Sequence, residues 1–319
     1  MISPAAKPTG VSLYGYLQIA RVDHWVKNVF VLPGFLVALS VDPGRFRLLS
    51  PFHVLLGLLA ICLTTSSNYV LNEILDAPYD LFHPLKSARP VPAGRVRVDI
   101  AYLEWIALML AGVGLGLQIS VPFALALFAL WMAGCAYNIP PLRTKDVPHL
   151  DVISEAINNP LRMLAGWYLT QTQAVPITTL LVSYWMAGCY FMAIKRYAEF
   201  RELTQRQAGN YRKSFRFYSE RALLVAIVFY GSNGMLFFGA FIARYRLELI
   251  LSFPLVAIVM AFYFWLAFQE NSPVQHPERL YREPLVMIPV SICAVVMTIL
   301  LFVDLPWLYN VFTPTKVGF

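Results

Sequence analysis

The chain has 319 residues, of which 58% are hydrophobic and only 13% are charged, and its mean hydropathy is +0.60. Soluble domains are about one quarter charged, so this composition excludes a soluble globular enzyme, a disordered chain and a nucleic-acid-binding module. The formal net charge of +7 indicates the cytoplasmic loops of a membrane protein or an anionic substrate.

Long uncharged stretches predict an all-α polytopic membrane protein, a bundle of about nine transmembrane helices of about 20 residues each. In chain order we place these helices at about 24–42, 52–76, 99–119, 121–138, 152–170, 176–195, 220–243, 247–269 and 284–304. We interpret the whole chain, 1–319, as a single membrane domain with large loops at about 77–98, 139–151 and 195–220. The N-terminal segment does not have the pattern of a cleaved signal peptide, so we expect none.

Lysine and arginine are distributed unequally between the two predicted sides of the membrane. With the N-terminus in the cytoplasm, 19 of them fall on the inner side and five on the outer side. The positive-inside rule then predicts an integral protein of the inner or plasma membrane, in the cell envelope, whose three large loops face the cytoplasm.

A polar stripe ends the second predicted helix. Its members are spaced four residues apart and share one helix face: Asn68, Asn72, Asp76 and Asp80. Acidic groups at membrane depth are costly and point to function. Oxygen ligands without His or Cys suit Mg²⁺, so we predict that Asn72, Asp76 and Asp80 bind this metal, with Asn68 near the substrate. Lys86 and Arg89 follow the stripe and would bind phosphates. The alternative interpretation of the stripe is a helix end that simply becomes polar where it reaches water.

A second polar face begins the fifth predicted helix. It comprises Asp151, Glu155, Asn158 and Arg162, at positions i, i+4, i+7 and i+11. We predict Asp151 as a further catalytic and metal-binding residue, although it could instead be the N-cap of its helix. The other three, with the preceding Arg143 and Lys145, are predicted to contact substrate. Two acidic faces among basic residues are what a metal–diphosphate site requires, because the metal stabilises a departing diphosphate.

These motifs resemble those of a known family. The segment Asn72-Glu73-Ile-Leu-Asp76-Ala-Pro-Tyr-Asp80 resembles the NDxxDxxxD motif of the UbiA superfamily of membrane polyprenyltransferases, with Glu73 in place of the usual Asp. Residues 137–145 are similar to the YSxPPLRxK segment of some members. The segments Trp25-Val-Lys27-Asn28 and Lys195-Arg196-Tyr-Ala-Glu-Phe look most like the decaprenyl-phosphate phosphoribosyltransferase branch.

The resemblance implies a nine-helix bundle with a cytoplasm-facing cavity, a lateral opening to lipid, and Mg²⁺-dependent displacement of diphosphate. In the phosphoribosyl branch, diphosphate leaves C1 of 5-phosphoribosyl diphosphate, and a polyprenyl phosphate is the nucleophile. In most other members it leaves an isoprenyl chain, and an aromatic ring is the acceptor. The implied partners are a polyprenyl lipid, a phosphorylated small molecule and the membrane, without nucleic acid; a homo-oligomer is left open.

The third large loop is strongly basic, with seven Lys or Arg residues between positions 195 and 216. We predict that Lys195, Arg196 and, on the resemblance, Lys27 contact substrate; attraction to anionic lipid is the alternative for the outer members of the loop.

Three functions are compatible with these residues. Phosphoribosyl transfer is preferred, prenyl transfer to an aromatic or other small acceptor is the alternative, and a transporter is disfavoured because the charges cluster at one face without internal repeats.

Overall fold

The computed structural model describes residues 10–81, 86–202, 213–270, 272–275, 280 and 283–312. These residues form helices joined by turns and include no strand. The α-helices, in chain order, are α1 (Leu13–Ile19), α2 (Leu32–Val41), α3 (Pro51–Asp80), α4 (Val98–Leu117), α5 (Val121–Asn138), α6 (Leu150–Ala156), α7 (Asn158–Leu169), α8 (Thr178–Arg201), α9 (Glu220–Tyr245), α10 (Phe253–Leu266), α11 (Pro284–Phe302) and α12 (Pro306–Phe312).

Seven helical segments are long and apolar enough to cross a membrane, which confirms an all-α integral membrane protein. They are Leu13–Val41, Pro51–Asp80, Val98–Leu117, Val121–Asn138, Glu220–Tyr245, Leu247–Leu266 and Pro284–Phe302. Two of the nine predicted spans do not meet the same criterion. The fifth is divided into the short helices α6 and α7, whereas α8 is long enough but too polar.

Helix boundaries differ from the predicted ones where the backbone bends. The first predicted helix is divided into α1, a 3₁₀ segment (Val22–Val31) and α2. The break after α1 lies at Arg21, whose φ of 48° is incompatible with a continuous right-handed helix. By contrast, α3 continues past Pro78 to Asp80, although an internal proline removes one N–H donor and crowds the carbonyl of the preceding turn.

The chain divides into two compact units. The first comprises residues 1–174 and 205–217, with α1 to α7, and the second comprises residues 175–204 and 218–319, with α8 to α12. In the first unit, α2 and α7 approach closely at two glycines: a Cβ on Gly34 would lie 1.9 Å from the carbonyl oxygen of Met163, and one on Gly166 would lie 2.1 Å from that of Val31. Close approach through small residues is typical of membrane helices.

The polar end of α3 is held between an apolar core and the loops that follow α3 and α5. One cluster of buried side chains fills the space between α3, α5 and α7, and includes Ile61, Phe123, Leu127 and Leu169. A second cluster packs α3 against α1 and α4, and includes Ile19, Val70, Ile74 and Ala101. Burial of these side chains on two sides of α3 fixes which way its polar stripe faces.

Candidate active site

Asp76 is the centre of the polar stripe on α3. Its Oδ1 atom accepts hydrogen bonds from Lys145 Nζ at 2.5 Å and from Arg143 Nη2 at 2.9 Å. Both cations come from the connection between α5 and α6. The Asp76 side chain is 24% exposed, so it combines two charged partners with access from outside. Such charge-assisted hydrogen bonds are the strong ones in proteins.

Asn138, the last residue of α5, joins this group to the rest of the stripe. Its side-chain Oδ1 accepts from Asn72 Nδ2 and from Lys145 Nζ, each at 2.7 Å. Its backbone oxygen accepts from Arg143 Nη1 at 3.1 Å. The sequence-based assignment missed Asn138, although it stands in the segment 137–145 that carries the family resemblance.

Asp80 and its partner form a second acid–base pair one turn further along α3. Arg89 Nη1 donates to Asp80 Oδ2 at 2.6 Å. Lys86, in a short 3₁₀ turn (Lys86–Ala88), is half-buried and adds to the positive field that acts on Asp76. The loop after α3 therefore brings both predicted phosphate-binding residues to the acidic end of the helix.

A peripheral network surrounds Arg143. Asp146 Oδ2 accepts from Arg143 Nε at 3.1 Å and lies 3.2 Å from Lys213 Nζ. Lys213 also donates to the Tyr79 hydroxyl at 3.2 Å, and this hydrogen bond raises the pKa of Lys213 above its usual value. The Arg143 guanidinium lies 5.2 Å from the centre of the Tyr79 ring, within cation–π distance. Lys213 is one of the seven basic residues noted in the third loop, whereas no role was predicted for Asp146 or Tyr79.

Asp151 lies on the second polar face and is fully buried. Ser214 Oγ donates to its Oδ2 atom at 3.3 Å. Asp151 is not the N-cap of its helix, because α6 begins at Leu150 and the cap position is His149. Asp151 is therefore a buried carboxylate in the first turn of α6, where the helix dipole stabilises a negative charge.

The rest of the second face is interrupted. The helix breaks between α6 and α7, and Asn158 Nδ2 donates to the Glu155 backbone oxygen at 2.9 Å across the break. Arg162 Nε donates to Asn28 Oδ1 at 3.2 Å, beside the half-buried Lys27. The described contacts therefore place Arg162 against the Val22–Val31 segment, at a second polar group in the first unit.

Asn68 connects two helices. Its Nδ2 donates to the Leu130 backbone oxygen at 3.0 Å, and its side chain lies directly on Gly134 of α5. The buried Oδ1 atom has no hydrogen-bond partner among the described residues.

Lys195 and Arg196 belong to the second unit. Both pair with Glu199, at 3.7 Å and 3.0 Å, and Arg196 is buried. Their contact with phosphate stays a prediction. Arg206 and Arg212 of the predicted basic loop lie outside the described residues.

The donor set at the end of α3 fits a hard divalent cation. Asp76, Asp80 and Asn72 offer carboxylate and amide oxygens, the ligands that Mg²⁺ takes together with substrate phosphates. No three His, Cys, Asp or Glu side chains converge as a ready-made metal cage within the described part of the chain. The alternation of acids and cations instead matches a site where metal and diphosphate bind together.

The fold and this group of residues define a class: α-helical membrane enzymes with an acidic and basic centre at the end of a transmembrane helix. Residues 29–282 match the UbiA prenyltransferase family, and the chain belongs to this family. It is therefore a transferase, which removes the support for a transporter.

Two relatives carry the same name, decaprenyl-phosphate phosphoribosyltransferase. The one from Corynebacterium glutamicum is 30% identical over 211 residues, which are 64% of this chain and 60% of that protein. The one from Mycobacterium tuberculosis is 29% identical over 220 residues, 68% of this chain and 70% of that protein. The chain thus spans less than two thirds of the first relative.

A solved UbiA homologue from Archaeoglobus fulgidus, bound to GPP and Mg²⁺, has the same fold. The TM-score is 0.67 at 20% sequence identity, and the match covers 91% of this chain and all of that one. The comparison confirms the predicted UbiA-like bundle.

Proposed function

We propose that the protein transfers 5-phosphoribose from 5-phosphoribosyl diphosphate to a polyprenyl phosphate in a Mg²⁺-dependent reaction that releases diphosphate. The observation that carries this proposal is the pairing of Asp76 with Arg143 and Lys145 beside the Asp80–Arg89 pair. Carboxylates that could bind a metal cation and basic side chains that could bind phosphates lie next to one another there. The two phosphoribosyltransferase relatives support the choice of substrates.

The reaction needs little proton chemistry. An oxygen of the polyprenyl phosphate forms a bond to C1 of the ribose, and the bond from C1 to the diphosphate oxygen breaks with its electron pair leaving on diphosphate. The nucleophile is already an anion, so no strong general base is required. Mg²⁺ bound to the diphosphate would neutralise the charge that develops on it.

The residues of this chain bind and orient the metal and the substrates. Asn72, Asp76 and Asp80 would hold the cation, with Asp151 assisting from α6. Four cations in the same region would hold the phosphates: Lys86, Arg89, Arg143 and Lys145. Such fixed charges act most strongly on the leaving group, because charge develops there in the transition state.

Substrate binding would exchange ion-pair partners. The cations that now lie on Asp76 and Asp80 would turn to the phosphates, while the carboxylates take the metal. Lys27 precedes Asn28, to which Arg162 donates. We propose that Lys27 and Arg162 contact another anionic part of the substrates, and that Glu155 and Asn158 contact polar groups of the substrates.

We also propose that the site faces the cytoplasm. The excess of Lys and Arg on the side that carries the loops after α3 and α5 supports this orientation. The soluble phosphoribosyl donor would then be drawn from the cytoplasm and the lipid acceptor from the membrane.

A prenyl transfer to an aromatic or other small acceptor is the second candidate. It is favoured by the match to the UbiA homologue bound to GPP and Mg²⁺. In that reaction the same carboxylates and cations would promote ionisation of an allylic diphosphate.

Purified protein in detergent with Mg²⁺ distinguishes the two. One assay supplies radiolabelled 5-phosphoribosyl diphosphate and a polyprenyl phosphate; the other supplies a labelled polyprenyl diphosphate and 4-hydroxybenzoate. We expect label to enter the lipid phase in the first assay, only with Mg²⁺, and no prenylated ring in the second. The reverse result would replace the proposal with prenyl transfer.

Asp76→Asn and Asp99→Asn provide the matched pair of variants. Asp99 is an exposed acid at the start of α4, paired with Arg97 at 2.5 Å. Asp99→Asn should retain transfer, whereas Asp76→Asn should abolish it. Equal activity in the two variants would contradict the assignment of the site.

A further inference from the structure

Glu73 stands where the family motif usually has Asp, and its contacts differ from those of the polar stripe. It follows Asn72 by one residue, so its side chain leaves α3 about 100° around the helix from that of Asn72. Glu73 is 2% exposed, and its partners are Arg21 and Val91, whereas Asp76 contacts Arg143 and Lys145. The departure from the motif therefore lies in the protein interior.

The Glu73 carboxylate ties together three segments of the first unit. Its Oε1 atom accepts the backbone N–H of Val91 at 3.2 Å, and its Oε2 atom lies 3.9 Å from Arg21 Nη2. A buried carboxylate without partners is strongly destabilising, so these two contacts offset the cost of burying the Glu73 charge. They join α3 to Arg21, two residues after the end of α1, and to the loop after α3.

The loop is also packed against apolar side chains. We call residues 86–97 the α3–α4 loop. Val91 and Val96 of this loop are buried in the cluster with Ile19, Val70 and Ile74. The backbone at Val91 is therefore fixed by apolar contacts around its side chain and by Glu73 at its N–H group.

This attachment lies two residues from Arg89, whose Nη1 meets Asp80 Oδ2 at 2.6 Å. Residues 89–93, with Val91 at their centre, make a tight turn in which Ala93 N donates to the Arg89 oxygen at 2.9 Å. A displacement of Val91 would be transmitted through this turn to Arg89.

We infer that Glu73 is a positioning residue for the diphosphate-binding end of the site: by holding Val91 it sets the α3–α4 loop so that Arg89 meets Asp80 and the substrate. The inference rests on the proposed function and adds a role that is neither metal binding nor direct contact with substrate. The positioning role also explains why this position carries glutamate and not the shorter aspartate. An aspartate is shorter by one C–C bond of about 1.5 Å and would not reach the Val91 N–H without movement of the loop.

A double-mutant cycle with Arg89 tests the inference. Glu73→Ala should raise the KM for 5-phosphoribosyl diphosphate about tenfold, the effect of losing one hydrogen bond to a charged group. In an Arg89→Ala background the same replacement should change KM less than about twofold, because Glu73 acts through Arg89. Glu73→Gln keeps an acceptor for Val91 and should recover most of the affinity. Additive losses would overturn the inference.

Mg²⁺ dependence separates positioning from metal binding. The Mg²⁺ concentration for half-maximal activity should be the same in Glu73→Ala as in the wild type. A shift to much higher Mg²⁺ in Glu73→Ala and Glu73→Asp would make Glu73 a metal ligand and reject the inference.

Hydrogen exchange supplies a readout that does not depend on catalysis. In full-length protein the Val91 amide should exchange at least about tenfold faster in Glu73→Ala and at the wild-type rate in Asp99→Asn. If the wild type transfers no phosphoribose, the proposed function fails, but this comparison and binding of inorganic diphosphate with Mg²⁺ still test Glu73. Unchanged exchange at Val91 in a folded Glu73→Ala protein would refute its positioning role.

Discussion

Lys145 donates one hydrogen bond to Asp76 at 2.5 Å and another to Asn138 at 2.7 Å, and its side chain is only 7% exposed. A nearly buried ammonium group thus links an acid on α3 to an amide at the end of α5. Because Asp76 also pairs with Arg143, the site holds more positive than negative charge around this carboxylate. That balance suits an anionic substrate better than a bare cation.

Replacing Lys145 with methionine should lower kcat/KM for phosphoribosyl transfer about 100-fold. The variant keeps the side-chain volume but removes the charge that would hold phosphate, and each hydrogen bond that involves a charged group is worth about 1.5 kcal/mol or more. Steady-state kinetics with 5-phosphoribosyl diphosphate measure the effect. Lys213→Met is the matched control, since Lys213 is 47% exposed at the periphery of the network; it should change kcat/KM less than about threefold.

Asp76→Asn and Asp80→Asn should each abolish turnover while the protein still folds. Asparagine retains the shape of aspartate but lacks the charge that binds a divalent cation. Activity is measured together with the unfolding temperature in detergent, and Asp99→Asn serves again as the control. Near-normal turnover in both variants would exclude these carboxylates from the metal site.

Asn138→Leu should weaken the site although Asn138 was not predicted from the sequence. The replacement is apolar and leaves Asn72 and Lys145 without their shared acceptor at a buried position. We expect a loss of about 1–3 kcal/mol in stability and at least about a tenfold loss in kcat/KM. Asn233→Leu is the control and should leave both quantities unchanged, since the half-buried Asn233 donates to the Phe229 oxygen of its own helix, α9, at 2.8 Å; equal effects would mean that Asn138 has no special role.

The polar stripe on α3 could be predicted because its spacing of four residues is a local property of a helix. Its partners could not. Asn72 and Asn138 are 66 positions apart, and their hydrogen bond depends on how α3 packs against α5. The burial of Glu73 is also invisible in the motif, since the N–H group that it meets belongs to Val91, in the loop after α3.

The positions at which helices break or bend could not be predicted from the sequence either. Uncharged stretches located the spans, but they did not show that residues 152–170 break at Ile157 or that the first span bends at Arg21. The break at Arg21 satisfies a tertiary contact, because Arg21 Nη2 lies 3.9 Å from the Glu73 carboxylate on α3. The break at Ile157 is bridged locally, by the hydrogen bond from Asn158 to the Glu155 backbone oxygen. No local pattern reveals the proximity of Arg21 and Glu73.

Cysteine labelling should establish the orientation in the membrane. Arg97 lies on the predicted cytoplasmic side and Arg47 on the predicted outer side, and both are exposed. In intact cells a membrane-impermeant maleimide should label Arg47→Cys and not Arg97→Cys, and permeabilisation should make both reactive. Three of the four native cysteines are buried and Cys62 is half-buried, so the parent protein gives the background. The opposite pattern would place the site outside the cytoplasm.

Close packing of α2 on α7 should make Gly34 intolerant of a side chain. A Cβ at Gly34 would lie 1.9 Å from the Met163 carbonyl oxygen, which is backbone and cannot move aside cheaply. We expect Gly34→Ala to destabilise the protein by about 1–3 kcal/mol, as overpacked cores do. Gly114→Ala in α4 is the matched control, because a Cβ there meets nothing within 4 Å and alanine favours a helix by up to about 1 kcal/mol. Thermal unfolding of both variants in the same detergent measures the difference; similar unfolding temperatures would show that α2 and α7 do not approach this closely.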